Sequence, residues 1–177
     1  MRAPAAAEAE RTPPSCLSGF GNTPIPLAPG GLDIAIDFKL RCQNCPSDIF
    51  QSSAFPLVAP DPSPYFEVQP GQTLYRPPHF LTCTSCGTER PLFDVRTQGY
   101  DGVLNGGGAY ESGTEGKAFI SRHFHVVVGF IYNIELGELR DLASEARVAV
   151  SDLFDGISIV GTATDGAENV ELSYECA

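Results

Sequence analysis

The residues of this chain best equipped for chemistry are its cysteines, and four of the six fall into two units of identical spacing. Cys42-Gln43-Asn44-Cys45 and Cys83-Thr84-Ser85-Cys86 are both CxxC. A two-residue spacer lets both thiolates of a tight turn reach one ion, and a second such turn closes a tetrahedral shell of four sulfurs. Zinc suits this donor set, carries no redox chemistry, and in a closed shell turns its binding energy into folding energy. The predicted metal ligands are therefore Cys42, Cys45, Cys83 and Cys86, with Zn as the cofactor. Iron is the lesser alternative for the same thiolates. The rival reading is a redox dithiol, which needs a CxxC at a strand-to-helix junction. Neither pair precedes a helical pattern.

Strands must position these turns. Leu32, Ile34, Ile36, Phe38 and Leu40 alternate with Asp33, Asp37, Lys39 and Arg41, which predicts a half-buried strand running into Cys42. Further strands are expected over 48–54, 79–83, 91–96, 117–132, 157–163 and 169–176. Seven prolines between Pro56 and Pro78 predict an extended excursion. Residues 98–116 are glycine-rich without a phosphate-cradle spacing, and read as a surface loop. Leu139, Leu142, Ala143 and Ala146 at helical spacing predict the one helix, over 137–148, in the C-terminal half. A short helical turn is expected over 151–154. The fold class is α+β, mainly antiparallel β.

At this point the chain resembles a zinc ribbon over residues 32–97, with the four cysteines in the ligand places. Cys86-Gly87 matches the common CxxCG knuckle. The first knuckle departs from it, because Pro46 has no N–H to donate to a sulfur. Cys83-Thr84-Ser85-Cys86-Gly87 followed by Leu92-Phe93 also resembles a fragment of the β-tent group, which includes methionine sulfoxide reductase B. A chain with no tryptophan lacks that enzyme's tryptophan-bearing segment, and no downstream catalytic thiol matches. The segments CTSCG, LFD (92–94), GYDG (99–102) and the final YECA resemble bacterial proteins of unknown function built from successive zinc-ribbon units. That resemblance implies a comparison within the chain. Residues 80–87 can be laid over 159–166, and the strand after Cys45 over Phe124–Phe130. Residues 117–177 then read as a ribbon-like unit without a metal.

The expected organisation is an Ala/Pro-rich tail over 1–28 and one compact domain over 29–177. The domain divides into a zinc-ribbon-like half, 29–116, and a β-α-β half, 117–177. Within the tail, Cys16, Phe20 and Ile25 are the residues able to dock. No apolar run near the N-terminus resembles a secretory signal, and no run approaches the roughly 18 apolar residues of a membrane span. A cytoplasmic protein with reduced or metal-bound thiols is expected.

With 22 acidic against 11 basic residues, the net charge of -11 disfavours nucleic acid and anionic membranes as partners. A protein partner is expected. Other candidates have plainer readings. Cys176 is a small buried hydrophobe and Cys16 an exposed, incidental thiol. His79 precedes Cys83 by four residues, but the sulfurs already close the shell. His123 and His125 share a strand face without a third ligand. Among the loop acids Asp94, Asp101, Glu111, Glu115, Asp152 and Asp155, the group Asp94, Tyr100 and Asp101 borders the knuckle and the glycine loop. Turn formation is its preferred role. No GxSxG elbow supports a serine triad. The sequence thus leads to a zinc-stabilised protein-interaction or structural module, with its enzymatic status open. The alternative is an enzyme with a β-tent-like cleft, a hydrolase or redox catalyst.

Overall fold

The computed structural model describes residues 12–25, 34–56, 75–106, 116–166 and 169–176. They form a curled, mainly antiparallel sheet of eight strands with two α-helices. The strands are β1 (Phe20–Ile25), β2 (Ile34–Cys42), β3 (Ile49–Pro56), β4 (Tyr75–Cys83), β5 (Glu89–Phe93), β6 (Ala118–Tyr132), β7 (Gly156–Ala163) and β8 (Asn169–Cys176). The helices are α1 (Gly99–Asn105) and α2 (Leu136–Ala146). Short 3-10 turns cover Ser15–Gly19 and Val150–Asp152.

The sheet is organised around β6. Its 15 residues are long enough to serve more than one partner on a single edge. Residues Phe124–Ile131 pair with β7 on one edge. On the other edge Val127–Tyr132 pair with β2, and Ala118–His125 pair with β3. Strands β2 and β3 therefore lie end to end along β6, both antiparallel to it. The first CxxC is an excursion out of that line. Outward from the line, β2 carries β1, while β3 carries β4 and then β5. The sheet thus forks at the cysteines.

Period-two burial explains the alternation in β2. Ile36, Phe38 and Leu40 are buried, while Lys39 and Arg41 are exposed. Phe124, Val126, Val128 and Phe130 continue the same core face on β6. A chain of aromatic contacts crosses it. Phe38 meets Phe130 at 6.0 Å, Phe130 meets Phe154 at 4.8 Å, and Phe154 meets Phe93 at 6.0 Å. The first two are edge-to-face and the third is tilted, and aromatic pairs of this kind add about 0.5–1.5 kcal/mol each beyond the area they bury. Leu139 and Ala143 of α2 close over this core.

Four features depart from the sequence-based expectations. The span read as a tail enters the fold from Ser15. Leu17 and Phe20 are buried, and Cys16 is buried rather than exposed. Ser15 N–H donates to the Asp152 carboxylate at 2.6 Å, which fixes the 3-10 turn to the core. Ile25 lies at the exposed end of β1. Residues 1–11 lie outside the described part.

The glycine-rich stretch contains α1. Glycine disfavours helix by about 1 kcal/mol per residue, yet Gly102 is required there. A Cβ on it would lie 2.7 Å from the Val95 carbonyl oxygen. Strand β4 begins at Tyr75 and includes Pro77 and Pro78. They are tolerated because the β3–β4 register shifts between Ser53 and Phe55, so neither proline is asked for a ladder N–H. The rest of the proline excursion, 57–74, lies outside the described residues. Finally, the C-terminal helix begins one residue early and ends at Ala146, where Arg147 turns left-handed (φ 60°).

The ladders also repeat. In β4–β5 the pairs are His79↔Phe93, Phe80↔Pro91, Leu81↔Arg90 and Thr82↔Glu89. In β7–β8 they are Ile159↔Ser173, Val160↔Glu171, Gly161↔Val170 and Thr162↔Asn169. Every number differs by 80, and the bulge falls at the same step. Likewise Phe50↔Cys83 to Ser53↔Phe80 in β3–β4 match Phe124↔Ala163 to Val127↔Val160 in β6–β7. The β3–β6 pairs Ile49↔His125 and Gln51↔His123 flank Phe50↔Phe124 symmetrically. A local two-fold axis therefore passes through the Phe50–Phe124 pair.

Candidate metal centre

Each CxxC turn is built the same way. Cys42 N–H donates to the Ser47 carbonyl at 2.8 Å, and Cys83 N–H to the Thr88 carbonyl at 3.0 Å. Both turns are thus closed by a bond spanning five residues. Gly87 adopts φ 70°, a left-handed conformation natural to glycine, and its N–H returns to the Cys83 carbonyl at 2.9 Å. The second turn is fixed to the sheet by Thr84, whose N–H donates to the Ile49 carbonyl at 3.1 Å. Asn44 links the turns through its side-chain amide, which donates to the Thr88 hydroxyl at 3.2 Å.

The fork in the sheet brings these turns face to face. All four sulfurs lie within 4.8 Å of one another. Cys42 Sγ is 3.6 Å from Cys86 Sγ, and Cys45 Sγ is 3.5 Å from Cys83 Sγ. Four thiolates about 2.3 Å from a central zinc form a tetrahedron with edges of about 3.8 Å. The contacts fit that figure and are far from the ~2.05 Å of a disulfide. Cys42 and Cys83 are buried, Cys45 is half-buried and Cys86 is exposed. The donor set and its spacing can hold a metal ion.

Backbone N–H groups point at the sulfurs in a repeated pattern. Asn44 N–H approaches Cys42 Sγ at 3.4 Å, and Ser85 N–H serves Cys83. Ser47 N–H serves Cys45 and Thr88 N–H serves Cys86. In each case the donor lies two residues after the cysteine. Pro46, directly after Cys45, therefore deprives no sulfur of its partner, contrary to the expectation from sequence.

The four thiols are electrostatically unequal. The Thr88 hydroxyl, then its N–H, bring the Cys86 thiol down to about 6. Burial pushes Cys83 up, but the N–H groups of Cys86 and Ser85 outweigh it and hold the thiol below its ordinary value. Ser47 N–H pulls Cys45 down, yet desolvation and contact with the other three sulfurs push it up to about 12. Four thiolates this close repel unless a cation lies between them, and a divalent ion removes that conflict.

The remaining candidates do not join the cluster. His79 is buried on β4 four residues before Cys83, about 13 Å along a strand. His125 Nδ1 lies 3.2 Å from the Asp48 carboxylate, which also pairs with Lys39 at 2.9 Å. His123 sits on the same face opposite Gln51. Asp94 is bound by its near neighbour Arg96 at 2.8 Å, and Asp101 accepts from Asn105 at 3.0 Å. Tyr100 N–H donates to the Phe154 carbonyl at 2.9 Å. Asp152 and Asp155 accept the N–H groups of Ser15 and Asn133, each at 2.6 Å. These acids hold turns. Glu111, Glu115 and the Cys176 side chain lie outside the described residues. Beside the knuckles, Phe20, Cys42, Asn44, Phe50, Thr88 and Arg90 line a shallow depression with room for about one water molecule.

Sequence reasoning missed Thr88 and Ser47, the donors to the outer sulfurs. Their signal was the shared spacing of a hydroxyl residue two positions after the second cysteine in each knuckle. Among the described residues, no helix is long and apolar enough to cross a membrane. No protein-family model, curated protein or solved structure matches the chain.

Proposed function

We propose that this chain is a zinc protein whose single four-cysteine site is structural, and that it works as a protein-interaction module rather than an enzyme. The carrying observation is the set of four sulfurs within 4.8 Å, supplied by two turns of matching construction. Four protein ligands leave no open position for substrate or water, which is the mark of a structural site. Both turns lead into strands, so neither thiol pair gains the helix N-terminus that a redox dithiol uses. The order knuckle, β3, β4, knuckle, β5 is that of a zinc ribbon.

A protein partner is supported by charge. Four thiolates around one Zn²⁺ add about two negative charges to the formal -11, which disfavours nucleic acid further. The valine run of β6 offers no free edge for a partner strand, being paired with β2 and β7. Among the described strands β1, β5 and β8 each pair on one side only, and these edges suit strand addition. A reducing compartment, the cytoplasm, fits thiols kept for a metal.

Protein purified reduced and without chelator is expected to carry about one zinc per chain. X-ray absorption at the zinc edge then gives four sulfur neighbours at about 2.3 Å. Metal-free protein refutes the site. Three sulfurs plus a lighter neighbour revives the enzyme reading, because that shell has an open place.

The domain reading is of one ribbon unit with its metal and a second unit, in 117–177, without one. Its support is the ladder offset of 80 and the matching bonds Thr84 N–H to Ile49 and Thr164 N–H to His123, both 3.1 Å. Ala163 and Gly166 hold the places of Cys83 and Cys86. Strand β6 runs straight from Ala118 where the first unit has its other knuckle. Replacing residues 163–168 by the sequence of 83–88 tests the equivalence. The chimera is expected to melt within a few degrees of the parent. A fall of more than about 10 °C, roughly 2.5–5 kcal/mol for a chain of this size, counts against it.

A further inference from the structure

Two sulfur pairs of the cluster meet with hydrogen-bond geometry, at 3.6 and 3.5 Å. Both cross between the knuckles, Cys42 to Cys86 and Cys45 to Cys83. We infer that the centre is a peroxide-responsive zinc switch, in which two cross-knuckle disulfides replace the ion as the staple between the turns. This deepens the zinc reading above and rests on it.

Access is graded. Cys86 is exposed, whereas Cys42 and Cys83 are buried and Cys45 is half-buried. Hydrogen peroxide therefore meets Cys86 first. The Cys86 thiolate attacks one peroxide oxygen, giving a sulfenic acid and hydroxide. That sulfur is now a poor zinc ligand. Cys42 Sγ, 3.6 Å away, attacks it, forming the S–S bond and expelling a second hydroxide. Loss of two ligands opens the shell to water and peroxide. Cys45 and Cys83, 3.5 Å apart, repeat the sequence with a second peroxide. In sum, four zinc-bound thiolates and two peroxides give two disulfides, four hydroxides and a free Zn²⁺. Each pair closes by about 1.5 Å to reach disulfide length, a movement shared between two side chains.

The consequence for the fold follows from which residues are joined. Disulfides within each CxxC leave the two knuckles unconnected once the ion departs. Cross-knuckle disulfides tie the same two turns that the ion tied, across separations of 44 and 38 residues. The switch then releases zinc and reshapes the knuckle surface while the sheet stays folded. The products are ordinary disulfides, so a thiol reductant plus zinc restores the starting state.

The test uses the full chain, with metal content measured before oxidant is added. Hydrogen peroxide in small excess is followed by a chromophoric zinc indicator, intact mass, circular dichroism melting and fragmentation of a non-reduced digest. The expected result is release of one zinc per chain and a mass lower by four hydrogens. Cross-links Cys42–Cys86 and Cys45–Cys83, a retained cooperative melt and reversal by dithiothreitol with zinc complete it. Zinc retained under peroxide, oxygen added to sulfur in place of disulfides, or pairing within each CxxC overturns the proposal. If no metal is present beforehand, the zinc reading fails by itself. Mass and cross-link data on that same protein still decide the disulfide pairing.

Discussion

Chelating the metal under reducing conditions is expected to abolish the cooperative melt of this protein, and Cys83→Ser is expected to do the same. Structural zinc binds small ribbon- or finger-sized peptides with about 10–16 kcal/mol of apparent free energy. A whole domain is stabilised by about 5–15 kcal/mol. The ion is thus worth as much as the net stability it supports. Cys83 is 1% exposed and pairs with Phe50 at the symmetric centre of the sheet, so its loss also leaves a polar hydroxyl in the core. Circular dichroism melting with and without chelator checks the first claim, and the variant checks the second. Cys16→Ala is the control. Cys16 is buried as well, where desolvation pushes its thiol up to about 12, but it lies outside the cluster and its loss costs about 1 kcal/mol. Equal behaviour of the two variants, or a melt indifferent to chelator, removes the structural metal. The contrast with peroxide matters: chelator melts the reduced chain, while oxidation leaves it stapled.

Phe154→Ala is expected to cost about 3–5 kcal/mol, the usual range for a fully buried phenylalanine. Its ring is wholly buried and touches Phe130 of β6 and Phe93 of β5. It therefore joins the half that carries the four-cysteine cluster to the half that does not. Urea unfolding followed by circular dichroism and by zinc release checks this. One compact domain predicts that both signals shift together to lower urea. If zinc release keeps its midpoint while the spectrum shifts, the halves unfold separately and the single-domain reading fails.

The four-cysteine cluster was legible because its signal is local: two residues between thiols, twice. Strands β2 and β6 and helix α2 were legible because one face of each is buried, and burial writes its period into the sequence. What escaped was held by distant contacts. Nothing in Phe20–Ile25 alternates strongly enough to announce β1, whose order comes from pairing with residues 37–42. Helix α1 hides behind Gly99 and Gly102, and the reason for Gly102 is the Val95 carbonyl against it. Pro77 and Pro78 argue against a strand unless the bulge beside them is known. The internal comparison was one residue out. Aligning Gly87 with Gly166, both at positive φ, sets an offset of 79, whereas the ladders agree at 80.

The central position of β6 has a further consequence, for solubility. Val126-Val127-Val128-Gly129-Phe130-Ile131-Tyr132 has high β-propensity and neither charge nor proline, the composition of a self-associating segment. In the folded chain both of its edges are occupied, by β2 and by β7. The cover on one edge is the β2–β3 line that the first knuckle interrupts, so its alignment depends on what holds that knuckle. Under the zinc reading proposed above, a newly made chain short of metal is expected to present this segment with one edge unguarded, and zinc starvation is expected to show itself as insoluble protein rather than as a soluble unfolded pool.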